Sequence, residues 1–418
     1  MIAPDHTKQL EDLQALLQVT RELAVNTELQ PLLACVEHAA QRVLDCERST
    51  VFLYDAVTDE LVSQRATGVA AIRFSAQQGI AGEVVRTGQV INVPDAYADP
   101  RFNPQIDQCT GFRTRNLLSF PLLCMNNQTV GVLQVLNKRS GAFTEWDHEV
   151  VHALGAQVGV AVQRQMLLDA HAEKLRLQRD MNLARQIQQG LLPTAPAVVP
   201  GFDVTGWNRP ADETGGDCFD HLLLHDGRLA LTLADATGHG IGPALIMTEC
   251  RALFHALSTV TADLADVVAR VNNLLVADLS DGKFVTAFFG VLTPEDNTLS
   301  WVSAGQAPLF QYHARSGQLL ELPASGIPAG IMANFPYDPP TQWAMEPGDF
   351  MVLVTDGFLE CTNAAGEQFG HERIKAVIHA HSTSTSADII QAMTRAIGDF
   401  VVDQPQGDDL TALVVRRC

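Results

Sequence analysis

Hydrophobic and polar residues follow helical spacing at the start of the chain and strand spacing soon after it. Four leucines recur at helical spacing between charged residues in 8–24, which predicts an amphipathic helix, and 31–45 repeats the pattern. Further on, the alternation breaks at Thr58-Asp59, and two apolar runs flank Asn126-Asn127, as expected for two hairpins. With an irregular segment over 92–116 between the hairpins, the pattern predicts one α+β domain over 1–150.

A long helical pattern separates this region from the rest of the chain. Residues 151–192 contain no proline, and 193–201 is rich in proline, which predicts a connecting helix followed by a linker. The positions that fit a heptad seam are Leu154, Val158, Ala161, Gln165, Leu168, Ala172 and Leu175. Two interpretations remain open: a short coiled coil that makes a homodimer, or a helix that packs on its own domain.

The C-terminal part, 193–418, predicts a second α+β domain with mostly antiparallel strands. Five strand-like runs alternate with two helical segments, near 242–257 and 386–401.

Composition narrows the function classes. The chain has 418 residues and a formal charge of −20, which leaves few basic residues for nucleic acid or an anionic membrane. No apolar stretch is long enough to span a membrane, and the start lacks a signal-peptide pattern. The eight cysteines are scattered and form no CxxC pair. We therefore expect a cytoplasmic protein with free thiols.

Acidic residues stand at the ends of apolar strands in the second domain. Asp235 and Asp356 each end such a strand, Asp217 follows two glycines, and Asp408 and Asp409 precede the last strand. Carboxylates gathered at one rim of a sheet repel one another unless a cation holds them. Oxygen ligands favour Mg²⁺ or Mn²⁺, and two such ions about 4 Å apart could activate water against a phosphoryl group.

The second domain resembles the metal-dependent protein phosphatase (PPM) family in its SpoIIE/RsbU branch. The matching stretches, in family order, are ARQIQQGLLP (184–193), GGDCFD (215–220), LADATGHG (233–240), FVTAFFGVL (284–292), VSAGQAPL (302–309), PGDFMVLVTDGFLECTN (347–363), GEQFG (366–370) and GDDLT (407–411). The resemblance implies a β-sandwich flanked by helices, with two metal ions in a cleft between the sheets.

The resemblance also implies roles for individual residues. Asp235 would bridge the two metals, and the carbonyl of Ala236 would bind one of them. Asp356 and Asp408 would hold the other metal, and Asp217 would join when the site is active. Asp409 would orient its neighbour, and metal-activated water, not a side chain, would attack the phosphoryl group. Three positions depart from related sequences: Thr214, Thr237 and Gln306, the last where histidine is usual. Thr237 leaves the general acid open, with His239 as one candidate.

The first domain resembles GAF domains, especially those of cyclic-nucleotide phosphodiesterases and cyclases. The stretches that carry the resemblance are 77–104, 109–122 and 131–149, with Asn137, Lys138, Phe143 and Asp147 of the family's NKFDE signature and His148 in place of its glutamate. The resemblance implies a ligand pocket at Ile80, Ala81, Asp107, Thr110 and Thr114, and a Lys138–Asp147 ion pair near it. A cyclic nucleotide is one expected effector; another small molecule, or none, is the alternative.

Together these features predict a GAF-regulated protein serine/threonine phosphatase of a bacterial partner-switching pathway. The resemblance implies a phosphorylated STAS-type anti-anti-sigma protein as the substrate, and a switch in 184–193. Two rivals remain: a constitutive phosphatase whose GAF domain is structural, and a catalytically silent docking protein.

Overall fold

The computed structural model of the chain describes residues 6–63, 72–238, 240–280, 282–402 and 404–418. Contacts divide it into two compact units, Met1–Arg176 and Leu177–Cys418. The boundary falls inside one long helix, Glu145–Leu191. This helix begins before the predicted connecting helix, 151–192, and ends one residue before its predicted end. No helix within the described ranges is both long and apolar enough to span a bilayer.

The N-terminal unit is built on one antiparallel sheet of order β3-β2-β1-β6-β5-β4. Its elements are α1 (His6–Val25), α2 (Leu29–Val43), β1 (Cys46–Asp55), β2 (Glu60–Ser63), β3 (Arg73–Ser75), α3 (Gly79–Thr87), β4 (Ile91–Val93), α4 (Gln105–Thr110), β5 (Leu117–Leu123), β6 (Thr129–Lys138) and α5 (Glu145–Leu191). Both predicted hairpins and both predicted N-terminal helices are confirmed. The segment predicted as irregular contains β4, a 3₁₀ turn at Ala96–Ala98 and α4, whose few residues give no readable periodicity.

The α5 helix changes its surroundings along its length. Its first half buries Leu154, Val158 and Val162 in one apolar core with α1, α2 and the sheet, and Gln165 is buried there too. Beyond that point the helix is mostly exposed, including Leu168. The packing interpretation of the seam therefore holds for the first half, and the dimer interpretation stays a prediction for the second.

Two glycines let α5 lie directly on the sheet. A Cβ built on Gly159 would be 2.2 Å from the Leu123 carbonyl oxygen, and one on Gly155 would be 2.6 Å from that of Pro121. Any side chain at these positions would push the helix away from β5.

The C-terminal unit contains two antiparallel sheets, of order β15-β12-β11-β10-β9 and β14-β13-β16-β17-β8-β7. The strands are β7 (Ala197–Val199), β8 (Phe202–Arg209), β9 (Asp217–Leu223), β10 (Leu229–Ala236), β11 (Val285–Thr293), β12 (Thr298–Ala304), β13 (Leu309–His313), β14 (Gln318–Leu322), β15 (Thr341–Ala344), β16 (Phe350–Val354) and β17 (Leu410–Arg417). The helices are α6 (Ile241–Val260), α7 (Leu264–Asp278), α8 (Gly357–Glu360), α9 (Gly370–Ala380) and α10 (Ser386–Val401).

Three apolar cores divide this unit into four layers. One core lies between the two sheets, a second lies under α6 and α7, and a third lies under α9 and α10. The predicted β-sandwich flanked by helices is confirmed, with α7 and α9 in addition to the two predicted helices. The predicted linker 193–201 also contains β7, which pairs with β8.

Candidate functional site

The β9–β10 hairpin brings the first two acids together. Asp217, the first residue of β9, is paired across the hairpin with Asp235, near the end of β10. Asp217 is buried, at 4% exposure, whereas Asp235 is half-buried. The adjacent backbone is closely packed, since Ala236 donates its N–H to the Gly216 carbonyl at 2.9 Å.

The second sheet supplies the other acids from two neighbouring strands. Asp356 follows β16, and Asp408 and Asp409 precede β17, which pairs with β16. Asp356 and Asp408 are exposed, whereas Asp409 is buried.

Thr355 links the two groups of acids. Its hydroxyl donates to Asp217 Oδ2 at 2.7 Å and accepts the Thr411 N–H at 3.1 Å. Sequence reasoning missed this threonine, which is 1% exposed. The only available signal was its position immediately before Asp356.

Asp409 accepts hydrogen bonds from two backbone N–H groups. Its carboxylate accepts the Ala211 N–H at 2.7 Å and the Asp217 N–H at 3.3 Å. A Cβ on Gly215 would be 2.5 Å from Asp409 Oδ2, so a side chain at this position would displace the carboxylate. Asp409 thus orders the backbone that carries Asp217.

Crowding raises the pKa of the buried carboxyl groups. Burial, and then the charge of Asp235, raises the pKa of Asp217 well above its usual range. Burial, and then Asp356 and Asp408, raises the pKa of Asp235 to about 7. The pKa of Asp356, a surface residue, is raised by partial desolvation of its carboxyl group and by the charge of Asp408. The negative charge of neighbouring aspartates is the shared secondary cause.

The donor set fits a hard divalent cation in kind, although the side chains are not arranged around one. Among the described residues, no three His, Cys, Asp or Glu side chains converge closely enough to hold an ion. Carboxylates with raised pKa values are nevertheless the groups that a divalent cation stabilises. Close by, the carbonyl oxygens of Ala236 and Gly238 each lie 3.0 Å from a Cβ built on Gly216.

Gln306, which stands where related sequences usually have histidine, is buried. Its amide donates to the Val354 carbonyl at 2.8 Å, so it ties the loop after β12 to the strand that carries Asp356. Thr237, the second departure, accepts from the Phe284 N–H at 3.3 Å. His239, the candidate general acid, lies outside the described residues.

Two family models match the chain. The model for stage II sporulation protein E (SpoIIE) matches residues 225–418, and the GAF model matches residues 28–162. The chain joins a GAF domain to a SpoIIE-family domain. The SpoIIE match includes Asp235, Asp356, Asp408 and Asp409, whereas Asp217 lies before it.

Similar proteins extend this assignment to a phosphatase fold. The chain is 25% identical over 276 residues to the phosphoserine phosphatase RsbU of Bacillus subtilis, covering 64% of this chain and 80% of RsbU. The SiaA-PP2C domain of Pseudomonas aeruginosa has 22% sequence identity and a TM-score of 0.51, covering 59% of this chain and 98% of that domain. The SpoIIE-family domain therefore has the PP2C fold.

The chain also has a relative of another kind. It is 31% identical over 169 residues to a probable 3′,5′-cyclic phosphodiesterase, pde-5, of Caenorhabditis elegans. The match covers 37% of this chain and only 23% of that protein.

A cavity of about 540 Å³ lies in the GAF domain where the ligand pocket was predicted. Four of the five predicted residues, Ile80, Ala81, Asp107 and Thr114, line it. The backbone of Thr110 is in α4, but its side chain lies outside the described residues.

Polar and aromatic groups in the cavity are partly engaged with one another. Asp107 accepts the Thr114 N–H at 2.7 Å, the Thr114 hydroxyl at 2.8 Å and the Tyr97 hydroxyl at 3.1 Å. Arg48 lies 4.0 Å above the ring centroid of Phe112. The cavity thus presents a guanidinium and an aromatic ring, which suit a flat, anionic ligand.

The predicted Lys138–Asp147 contact is present and buried. The Lys138 Nζ lies 2.7 Å from Asp147 Oδ1 and also donates to the Leu44 carbonyl. Thr144 adds its N–H and hydroxyl to the other carboxylate oxygen of Asp147. The pair ties the end of β6 to the first turn of α5 and does not line the cavity.

Proposed function

We propose that this protein is a GAF-regulated, metal-dependent phosphatase that hydrolyses phosphoserine or phosphothreonine on a protein. The observation that carries the proposal is the placement of aspartates at one rim of a PP2C-fold domain, where neighbouring charges act on Asp235. The five are Asp217, Asp235, Asp356, Asp408 and Asp409. The similarity to phosphoserine phosphatase RsbU supports this class of substrate. A STAS-type phosphoprotein in a partner-switching pathway is the specific substrate that we propose.

Two cations, Mn²⁺ or Mg²⁺, would be held by Asp235 together with Asp356, Asp408, Asp217 and the Ala236 carbonyl. Bound there, the cations supply Lewis-acid activation of water and of the phosphoryl oxygens. Thr355 orients Asp217 through its 2.7 Å hydrogen bond, and Asp409 fixes the backbone before it. The exposed carboxylates of Asp356 and Asp408 leave the rim accessible to a protein substrate.

The proposal is tested by the initial rate of phosphoserine-peptide hydrolysis against Mn²⁺ concentration, using the full chain. A rate that rises with Mn²⁺ and saturates is expected. A folded chain that hydrolyses neither this peptide nor p-nitrophenyl phosphate at any Mn²⁺ concentration would favour the docking alternative.

The end of α5 is proposed as the switch element. The amide of Gln188 donates to the Gly215 carbonyl at 2.6 Å and accepts the Gly215 N–H at 3.0 Å. Gly215 is two residues from Asp217, so a movement of this helix would move the backbone of the site. We also propose a homodimer through the second half of α5, supported by the exposed Leu168 and Leu175.

Gln188→Ala removes both hydrogen bonds and is expected to loosen the Gly215 segment. We expect the Mn²⁺ concentration that gives half-maximal rate to rise about tenfold, the scale seen when groups that orient metal ligands are removed. Gln189→Ala is the matched control, because Gln189 is exposed on the same turn. Identical Mn²⁺ curves for the two variants would contradict the switch assignment, and thermal stabilisation by Mn²⁺ gives a readout independent of turnover.

A cyclic nucleotide in the GAF cavity is the proposed effector. Its phosphate would meet the N–H groups at the start of α3, which begins at Gly79 on the cavity wall. Calorimetric titration of the full chain with cAMP and cGMP is expected to show saturable binding of one, with AMP as the acyclic control. Absence of binding by either would favour a structural GAF domain and a constitutive phosphatase.

A further inference from the structure

A second cavity, of about 390 Å³, lies in the phosphatase domain beside the acidic rim. It shares Asp408 with the rim, and Gly357, which follows Asp356, also lines it. Arg209 and Glu360 contribute opposite charges to the same wall. A group bound here would lie immediately next to the proposed reaction centre.

The cavity has an apolar floor. Ile397 of α10 and Leu410 of β17 are each 2% exposed and belong to the core beneath α10. Cys361 and Val401 extend this surface, and Val402, which also lines the cavity, is 60% exposed. The proposed metal chemistry does not use any of these apolar groups.

Hydrogen bonds hold the polar wall in place. The amide of Gln406 donates to the Arg209 carbonyl and to the Asp408 carbonyl, each at 2.8 Å. Arg209 is also paired with Leu410 in the β8–β17 ladder. The wall that separates the cavity from the acids is thus tied to a central strand.

We propose that this cavity binds an aliphatic side chain near the phosphorylated residue of the substrate polypeptide, and so determines sequence preference. The inference rests on the proposed phosphatase function and specifies its substrate class. The apolar floor selects the side chain, because moving a leucine-sized group from water to an apolar surface is favourable. The adjoining wall has amide and charged groups, which suit the polar backbone of the substrate on either side of the bound side chain. Asp408, common to both sites, places this side chain within a few residues of the phosphate.

Gly398 allows the cavity to be filled without disturbing the fold. It lines the cavity from α10, and a Cβ built on it meets nothing within 4 Å. Leucine at this position would occupy the space above Ile397, and it favours a helix more than glycine does. Gly398→Ala is the matched control, since its methyl group leaves most of the cavity open.

The experiment compares wild type, Gly398→Leu and Gly398→Ala on phosphoserine peptides with leucine or serine at each nearby position. p-Nitrophenyl phosphate, which has no peptide, reports the chemical step alone. We expect wild type and Gly398→Ala to prefer leucine over serine at one position by about tenfold in kcat/KM. The preference should arise from a lower KM for the leucine peptide. Gly398→Leu is expected to lose that preference and to keep its rate on p-nitrophenyl phosphate.

A leucine preference that survives in Gly398→Leu would overturn the proposal, as would a wild type without preference that still hydrolyses p-nitrophenyl phosphate. In either case the phosphatase function would stand. A folded wild type that hydrolyses no substrate with Mn²⁺ would instead overturn the phosphatase function and this inference with it.

Discussion

Asp356→Asn is expected to lower the Mn²⁺-dependent hydrolysis of phosphoserine peptide by at least about 100-fold, the scale on which removal of one charge-stabilising group slows catalysis. Asparagine keeps the shape of the side chain and one oxygen, but it removes the negative charge proposed to hold a cation. Asp356 lies at the surface, immediately before α8. Partial desolvation of its carboxyl group and the charge of the nearby Asp408 raise its pKa, so removing the charge relieves repulsion in the metal-free protein.

Two measurements separate loss of metal from loss of fold. The melting temperature without metal should be unchanged or higher in Asp356→Asn, whereas its rise on addition of Mn²⁺ should be smaller than in wild type. Asp338→Asn, an exposed aspartate in another loop, serves as the control and should behave as wild type in both. Equal rates in Asp356→Asn and wild type would contradict the metal assignment.

Gly159→Ala is expected to destabilise the GAF domain by about 2–3 kcal/mol, the usual cost of overpacking a core. The added methyl group would be 2.2 Å from the Leu123 carbonyl oxygen and 2.5 Å from its nitrogen, both of them backbone atoms that cannot rotate away. Calorimetry should show the transition of this domain about 5–10 °C lower.

Intrinsic helix propensity predicts the opposite sign, because alanine favours a helix over glycine by about 1 kcal/mol. Gly190→Ala, near the end of the same helix in the other compact unit, adds a methyl group where nothing lies within 4 Å of the Cβ position. It should leave stability unchanged or slightly higher. A Gly159→Ala protein as stable as wild type would mean that α5 does not lie against β5 as described.

The elements of both domains could be predicted from sequence because their patterns are long and regular. The apolar strands that end in Asp235 and Asp356 are examples, and the β-sandwich followed from a family resemblance across the domain. The GAF segment 92–116 could not be predicted in the same way, because its strand and helices are too short to show periodicity. The seam on α5 was ambiguous for a physical reason, since the same spacing serves a coiled coil and a helix packed on its own sheet.

At the candidate site, sequence indicated the charged residues but not the groups that hold them. The end of an apolar strand marked Asp235, two glycines preceded Asp217, and the register pairs these two residues across the hairpin. The hydroxyl of Thr355 and the paired hydrogen bonds of Gln188 to Gly215 join segments far apart in the chain. No local sequence pattern predicts such contacts, because a neutral polar side chain such as that of Thr355 or Gln188 could equally be exposed to water.

The β9–β10 hairpin makes the number of residues between Asp217 and Asp235 a functional quantity. Seven cross-strand pairs lead from these acids to the turn at 224–228, where Gly227 adopts a φ of +84°. Successive strand residues point to opposite faces, so a one-residue deletion within either strand would turn one of the two aspartates away from the other. The length of this hairpin should therefore tolerate changes only at its turn, while many of the side chains between can vary. The number of residues between Asp217 and Asp235 therefore determines the geometry of the site as much as the identity of the two residues does.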